Sequence, residues 1–263
     1  MLLLVLFFVW PALDVGRVSI FDPDLTGANF ERIFTRPVYM TVLTRTVWVA
    51  IEVTVLCTLI GYPAAWIISR QPRHLQFFLL FLVFVTMWMS ILIRSFAWVI
   101  LFGREGILNG LLQFLHLINE PQQFLYTPSA VLVAMVQVLL PLQIVSCLGA
   151  LTEIDTGLVK AARILGANPI QTFTRVVLPL SMDGIRTAAT IVFMMAMGFF
   201  ITPALLGGRS DLLLGNLVEQ QVGQLKWGFA AALAIVLLGT TLAAIVIGKM
   251  ARKLSGLIFR SLA

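Results

Sequence analysis

The chain has 263 residues, of which 60% are hydrophobic and only 11% are charged, and its mean hydropathy is +0.99. Because a water-soluble domain carries roughly a quarter charged residues, this composition excludes such a domain and indicates a protein of the lipid bilayer. The net charge of +6 is scattered over the ends of apolar segments, which disfavours a nucleic-acid partner. We expect an all-α, polytopic membrane protein in which residues 1–263 form a single transmembrane domain.

Apolar runs predict six transmembrane helices, since a helix needs roughly 20 apolar residues to cross the hydrocarbon core. The first run, over residues 1–13, is shorter than that, so we expect a span whose start is missing or begins at Met1. A signal peptide is disfavoured because no small-residue cleavage site follows. The other five spans are expected at residues 42–69, 76–102, 129–151, 183–206 and 228–248.

Polar segments between these runs are expected to be water-facing loops. Within the second of them, residues 106–118 have apolar side chains at helical spacing, which predicts a helix along the interface. Gly207 and Gly208 are expected to break the fifth span, and Pro63 to bend the second. The three outer loops are expected at residues 14–41, 103–128 and 209–227.

Basic residues are unevenly distributed between the loops. Lys and Arg outnumber the acids after the second span, in the stretch 152–186 and in the C-terminal tail, whereas the other loops are slightly acidic. Loops rich in Lys and Arg stay on the cytoplasmic side of a membrane. We therefore expect the stretch 152–186 and the C-terminus to be cytoplasmic and, with six spans, the N-terminus as well.

Motifs for chemistry are missing from the sequence. It has no GxxxxGK[ST] phosphate loop, no HExxH and no CxxC, and Cys57 and Cys147 lie in apolar runs. This disfavours an enzyme, a metal site and an ATP site in the chain, and leaves transport. An ion-coupled secondary transporter is the alternative of another class, but it would need an intramembrane ion site and usually internal repeats. The sequence offers only a single intramembrane acid, Glu52, and it also has a long polar stretch at residues 152–179; both observations argue against that alternative.

The longest polar stretch between two apolar segments covers residues 152–179, which we call the docking loop. Residues 157–166 are good helix formers with small side chains on or near one face, so a partner's groove can seat this helix deeply. We expect Asn168-Pro169 to end the helix and a second short helix to follow. The alternative is an ordinary amphipathic loop.

The docking loop carries the pattern KAA, three residues, GA and then LP. This pattern resembles the EAA loop of binding-protein-dependent ABC importer permeases. The stretches GYPAAW, LIRSFAW, GILN, LLPLQI, TPALLGG, GNLVEQQ and WGFAAALAIVLL, within roughly residues 40–250, look like the spermidine/putrescine-type subfamily. Coupling to the ATPase is then implied at Lys160, Ala161, Ala162, Gly166, Ala167, Leu178 and Pro179.

The resemblance implies a type I importer fold and a set of partners. Two permeases pair, commonly as paralogues in this subfamily, and two ATPase subunits bind the EAA loops and carry ATP and Mg²⁺. A periplasmic binding protein delivers the solute. The usual glutamate of the motif is Lys160 here, so the docking role is carried over without an acidic contact.

Polar groups inside spans are candidates for lining a substrate path, because they are costly in lipid. Glu52 suits a cationic solute. Alternatively, Glu52 and Arg45, seven residues earlier on the same helical face, could pair with other groups as a structural clamp. Arg94 repels a polycation and is expected to be a structural or gating residue with a carboxylate or carbonyl partner. Gln137 and Gln143 are further candidates.

Aromatic side chains could hold an amine by cation–π contact, or simply face lipid or the core. Glu219 and Asp211 could receive an ammonium group near the pore mouth, or be solvated loop charges. A polyamine is the first substrate expected from the resemblance, with an amino-acid derivative or opine-like solute as the alternative. The expected path residues are Glu52, Trp88, Trp98, Gln137, Phe199 and Glu219.

Overall fold

The computed structural model describes residues 7, 9–21, 27–208 and 210–261, without the side chains of Thr156 and of the residues after Met250. Over this part of the chain, most connections between helices are short, and the longest described one covers residues 115–127. The helices are α1 (Trp10–Ile20), α2 (Ala28–Thr35), α3 (Pro37–Ser69), α4 (Arg73–Trp88), α5 (Ile91–Phe102), α6 (Ile107–Phe114), α7 (Pro128–Thr152), α8 (Thr156–Ile164), α9 (Pro169–Thr172), α10 (Leu178–Met197), α11 (Ile201–Leu206), α12 (Leu214–Gly223) and α13 (Trp227–Ser261).

Four helical stretches in the described residues are long and apolar enough to cross a membrane. They are α3, α7, the run Pro169–Met197 and the first part of α13, Trp227–Met250. The spans predicted at 42–69, 129–151 and 228–248 are therefore confirmed as membrane-length helices. The span predicted over 1–13 lies largely outside the described residues, so the number six stays a prediction.

The predicted third span is broken. The helices Arg73–Trp88 and Ile91–Phe114 pass the same length and hydropathy test only as a pair, and they are bent by 93°. Met89 and Ser90 between them are extended, which separates α4 from α5. The break could not be predicted from the sequence, because the residues around it are as apolar as those of a continuous transmembrane helix.

The predicted fifth span begins and ends earlier than expected. Helical structure starts at Pro169, passes through a π-helical turn and ends at Met197, rather than covering 183–206. The main break is at Gly198, and Gly207 follows only the short α11. The side-chain amide of Asn216 donates to the carbonyl of Phe200 at 2.7 Å, which satisfies a backbone acceptor that the break leaves free.

Two expected loops contain helices. The segment 14–41 includes part of α1, all of α2 and the start of α3, and the segment 209–227 includes α12. Both helical regions are short and mixed in polarity, so composition alone suggested loops. The helix expected within 106–118 is confirmed as α6.

The contacts divide the chain into two compact units. The first consists of Met1–Val47, Met197–Phe200 and Leu212–Ala263. Its described core packs Ile33, Val42 and Leu214 with Phe229 and Leu233, and the ring of Tyr39 meets that of Phe229 edge-on at 5.3 Å. The backbone N–H of Leu214 also donates to the hydroxyl of Thr46 at 2.9 Å.

The second unit consists of Trp48–Ala196 and Ile201–Asp211, and it contains the whole docking loop. Helices approach closely in its core because small residues face one another. A β-carbon at Gly61 would lie 2.8 Å from the Cγ of Gln143, and one at Gly184 would overlap the Cβ of Ala150. Gln143 itself is fully buried, and its amide donates to the hydroxyl of Thr58 at 3.3 Å.

Candidate functional site

The docking loop begins with a capped helix. The carboxylate of Asp155 accepts a hydrogen bond from the backbone N–H of Gly157 at 2.8 Å, which satisfies one free donor at the start of α8. The sequence therefore predicts this helix correctly. Its first turn is fixed by the residue immediately before it.

The end of α8 differs from the prediction. Gly166 has a φ of +85° and terminates the helix in the left-handed region that glycine tolerates best. The backbone N–H of Ala167 then donates to the carbonyl of Ala162 at 3.0 Å. The glycine of the motif is thus explained by backbone geometry rather than by small size alone.

Asn168 and Pro169 start the next helix instead of ending α8. The side chain of Asn168 accepts from the N–H of Gln171 at 2.8 Å, and the side chain of Gln171 accepts from the N–H of Asn168 at 3.0 Å. This reciprocal capping box fixes the start of a helical run that continues to Met197. The docking loop is therefore joined directly to a membrane-length helix.

The exposed face of α8 is apolar. Leu158, Ala161 and Leu165 are spaced by three and four residues, so they share one face of the helix. Ile164 and Leu165 at its tip are 85% and 87% exposed. Large apolar side chains exposed together on a polar loop indicate a surface that another protein covers. We call Leu158, Ala161, Ile164 and Leu165 the docking face.

The sequence interpretation selected only part of this surface. Ala161 belongs to the docking face, whereas Ala162 and Ala167 are half-buried and Leu178 packs against the core of the second unit. Lys160 and Pro179 are exposed. The large side chains of the docking face were missed, although their helical spacing was the signal that could have identified them.

A pocket of about 490 Å³ lies on the other side of α8. We call it the basic pocket, because three cations line it: Arg70, Lys160 and Arg163. The rest of its wall comes from the ends of α3 and α7, the start of α4, and three apolar residues of the docking loop, Ile154, Val159 and Val177. The guanidinium of Arg70 stacks over the indole of Trp66, 4.8 Å from the ring centre.

Two of the expected path residues are in contact. The indole N–H of Trp98 on α5 donates to the side-chain carbonyl of Gln137 on α7 at 3.4 Å. Also on α5, the hydroxyl of Ser95 lies 3.0 Å from the hydroxyl of Thr202 on α11. These buried and half-buried polar contacts join α5 to α7 and to α11 within the second unit.

Arg94 is buried next to this group. Its exposed fraction is 7%, its Nη1 donates to the carbonyl of Val138 at 3.4 Å, and its Nε has no hydrogen-bond partner in the described structure. The expectation of a carbonyl partner is confirmed. No carboxylate pairs with Arg94 among the described residues.

The other expected path residues are placed separately. Glu52 is exposed and Trp88 is 85% exposed, both in the second unit. Phe199 is 8% exposed and Glu219 is exposed, and both belong to the first unit. No ion pair of Glu52 with Arg45 or any other group occurs among the described side chains.

The carboxylate of Asp211 has a structural contact. It accepts from the backbone N–H of Gly208 at 3.0 Å and from the hydroxyl of Ser210 at 3.2 Å. Asp211 is 9% exposed, so it closes the turn after α11 and is not a solvated loop charge. Gln143 also has structural contacts, because its side-chain amide donates to Thr58 and Cys147 inside the core of the second unit.

A capped helix with an exposed apolar face, on a polar loop between membrane-length helices, indicates a membrane protein on which another subunit docks. Comparison with known proteins agrees with this class. Residues 58–256 match the family described as binding-protein-dependent transport system inner membrane component. The chain therefore belongs to that family.

Relatives of known function extend over nearly the whole chain. The spermidine/putrescine transport system permease protein PotB of Escherichia coli K12 is 35% identical over 89% of this chain and 88% of its own length. The protein of the same name from Haemophilus influenzae is 36% identical over 88% of this chain and 84% of its own length.

Solved structures show the same fold. A bacterial ABC transporter that imports the acidic polysaccharide alginate superposes with a TM-score of 0.73 at 17% identity, covering 96% of this chain and 92% of that chain. The methionine ABC transporter MetNI gives 0.63 at 20% identity, covering 81% and 94%. The all-α type I importer permease fold is therefore confirmed. The chain is a multi-pass inner-membrane subunit of an ABC importer and not itself an enzyme.

Proposed function

We propose that this chain forms the translocation path of a polyamine importer for spermidine or putrescine. The observation that carries the proposal is the 35–36% identity, over almost the full length, to permeases of that name in two bacteria. In this proposal residues 1–263 act as one transmembrane domain. They pair with a second permease, of which a paralogue is the expected form.

The docking face supports coupling to an ATPase subunit. We infer that two ATPase subunits hold ATP and Mg²⁺, and that one of them seats α8 in a groove against Ala161, Ile164 and Leu165. Full burial of the side chains of Ile164 and Leu165 contributes about 1.5–3 kcal/mol each. This assignment requires the docking loop and the C-terminus to be cytoplasmic, as the loop charges predict.

The helical run after Gly166 supports a lever mechanism. Movement of α8 is transmitted through the capping box at Asn168 to the run Pro169–Met197, which is continuously helical. A rigid element of this kind converts closure of the ATPase dimer into rocking of the permease pair. A periplasmic binding protein delivers the solute to the outward-open state.

The contact between Trp98 and Gln137 supports a path beside α5 and α7. An indole face attracts an ammonium group, and an amide carbonyl can accept its hydrogen bonds. Glu52 and Trp88 are exposed on the single chain, where a second permease can cover them.

Arg94 favours a second candidate substrate. A buried guanidinium with an unpaired Nε suits a carboxylate, so an amino-acid derivative or opine-like solute fits the same importer class. The test is ATPase activity of the reconstituted transporter with its binding protein. Stimulation by spermidine or putrescine supports the first proposal, and stimulation only by carboxylate-bearing solutes overturns it.

A further inference from the structure

We propose that the basic pocket binds the phosphate of an anionic phospholipid headgroup. The bound lipid would hold α8 against the ends of α3 and α7. The starting observation is an excess of positive charge. Arg70, Lys160 and Arg163 line one pocket of about 490 Å³. Among the described carboxylates, none lies within ion-pairing distance of any of the three.

The position of the pocket places it at the level of lipid headgroups. Ser69 ends α3 and Thr152 ends α7, and both helices are long and apolar enough to cross a membrane. Basic pockets between the ends of membrane helices are sites where anionic headgroups bind. A lipid therefore reaches this pocket from the bilayer without crossing water.

The wall chemistry matches the upper part of a phospholipid. Leu151, Ile154 and Val177 give the pocket an apolar side against which a glycerol backbone can pack. Stacking on Trp66 holds the guanidinium of Arg70 in place, and a guanidinium can donate two parallel hydrogen bonds to a phosphate.

The pocket and most of the docking face lie on different sides of α8, and only Ile164 is adjacent to a pocket residue, Lys160, one turn earlier. Val159, Lys160 and Arg163 line it, whereas Leu158, Ala161 and Leu165 lie on the other side of α8. An ATPase subunit bound to the docking face therefore does not neutralise the three cations of the pocket, and a different anion is needed to do so. This geometry favours a lipid over an acidic side chain of the ATPase, and it gives Lys160 a role that a glutamate at that position would not have.

Binding can be measured on the full-length chain by native mass spectrometry in detergent, titrated with phosphatidylglycerol or with phosphatidylcholine. The variant is Arg70→Gln/Lys160→Gln/Arg163→Gln. Its matched control is Arg73→Gln/Arg175→Gln/Lys249→Gln, which removes the same charge from exposed positions outside the pocket. We expect about a hundredfold preference of the wild type for phosphatidylglycerol, since each of the three cations strengthens anionic-lipid binding about fivefold. The preference should disappear in the variant and persist in the control.

Four results would overturn the proposal. They are equal binding of the two lipids, an equal loss in the control, displacement of phosphatidylglycerol by glycerol phosphate at the same concentration, and expulsion of the lipid when the ATPase subunit is added. The third would assign a soluble anion to the pocket and the fourth an acidic group of the ATPase. Because binding is measured without transport, these results leave the importer assignment unaffected.

Discussion

Gly166 and Gly184 are required for different physical reasons. Gly166 adopts a φ of +85°, and a β-carbon there would meet no described atom within 4 Å. Its requirement is therefore one of backbone conformation. Gly184 is an ordinary helical residue at which a β-carbon would overlap Ala150, so its requirement is one of space. Substitutions separate the two.

Replacing Gly166 tests the end of the docking helix. A residue other than glycine in the left-handed region costs about 1–2 kcal/mol, and asparagine tolerates it better than alanine. We expect Gly166→Ala to reduce solute-stimulated ATPase activity about fivefold or more, and Gly166→Asn to reduce it less. Gly149→Ala, at another glycine with open space, is the control and should retain activity. A larger loss with asparagine than with alanine would show that size, not conformation, matters here.

Replacing Gly184 tests helix packing in the second unit. Gly184→Ala should lower the thermal stability of the detergent-solubilised chain, because overpacking of this kind costs about 1–3 kcal/mol. Ala150→Gly in the same chain removes the overlapping β-carbon and should restore most of the lost stability. Thermal unfolding followed by circular dichroism measures both variants. If the second substitution lowers stability further, Ala150 is not the neighbour that excludes a side chain from position 184.

At the scale of helices, the two sides of α8 differ in chemistry. The docking face carries large apolar side chains, whereas Val159, Lys160 and Arg163 line the basic pocket. Because a nine-residue helix has few positions to use, each side depends on a few residues. Changes on one side should therefore affect one partner and leave the other.

The docking face can be tested with charge. Ile164→Glu/Leu165→Glu should abolish co-purification of the ATPase subunit, since both side chains are almost fully exposed and available for burial. Ile164→Leu/Leu165→Ile keeps the apolar surface and is the matched control. The thermal stability of the permease should be unchanged in both variants. Normal co-purification of the charged variant would place the ATPase contact elsewhere.

The sequence predicts helices well where a single physical signal dominates. Apolar runs identified α3, α7 and α13, and good helix formers after Asp155 identified α8. It failed where distant residues decide the structure. After the break at Gly198, the carbonyl of Phe200 accepts a hydrogen bond from Asn216, which is 16 residues farther along the chain. No local pattern contains that contact.

The candidate site was predictable to the same degree. The motif located the docking loop, yet the basic pocket joins Arg70 to Lys160 and Arg163 across many intervening residues. The contact of Trp98 with Gln137 is also non-local, although each residue was selected as a polar or aromatic group inside a span. Chemistry could therefore be assigned to single residues, whereas their grouping required the fold.

At the scale of the whole molecule, the charge of the groups that line the path decides whether a cationic solute or a carboxylate-bearing solute binds there. The described part of α5 buries a guanidinium whose protein acceptor is the carbonyl of Val138. A polyamine gains nothing from that cation, whereas a carboxylate-bearing solute would bind it directly. Arg94 therefore separates the two candidate substrates.

Replacing Arg94 by methionine removes the charge and keeps much of the volume. Since a buried charge without a carboxylate partner is costly, Arg94→Met should leave the thermal stability unchanged or raise it. A polyamine importer should retain ATPase stimulation by spermidine in this variant, because like charges repel. Arg94→Lys, which keeps the charge in a different geometry, is the comparison. If a carboxylate-bearing solute is the one that stimulates the wild type, that stimulation should instead be lost in Arg94→Met while the complex stays intact and assembled. Retention in both variants would make Arg94 dispensable for recognition and support the polyamine assignment.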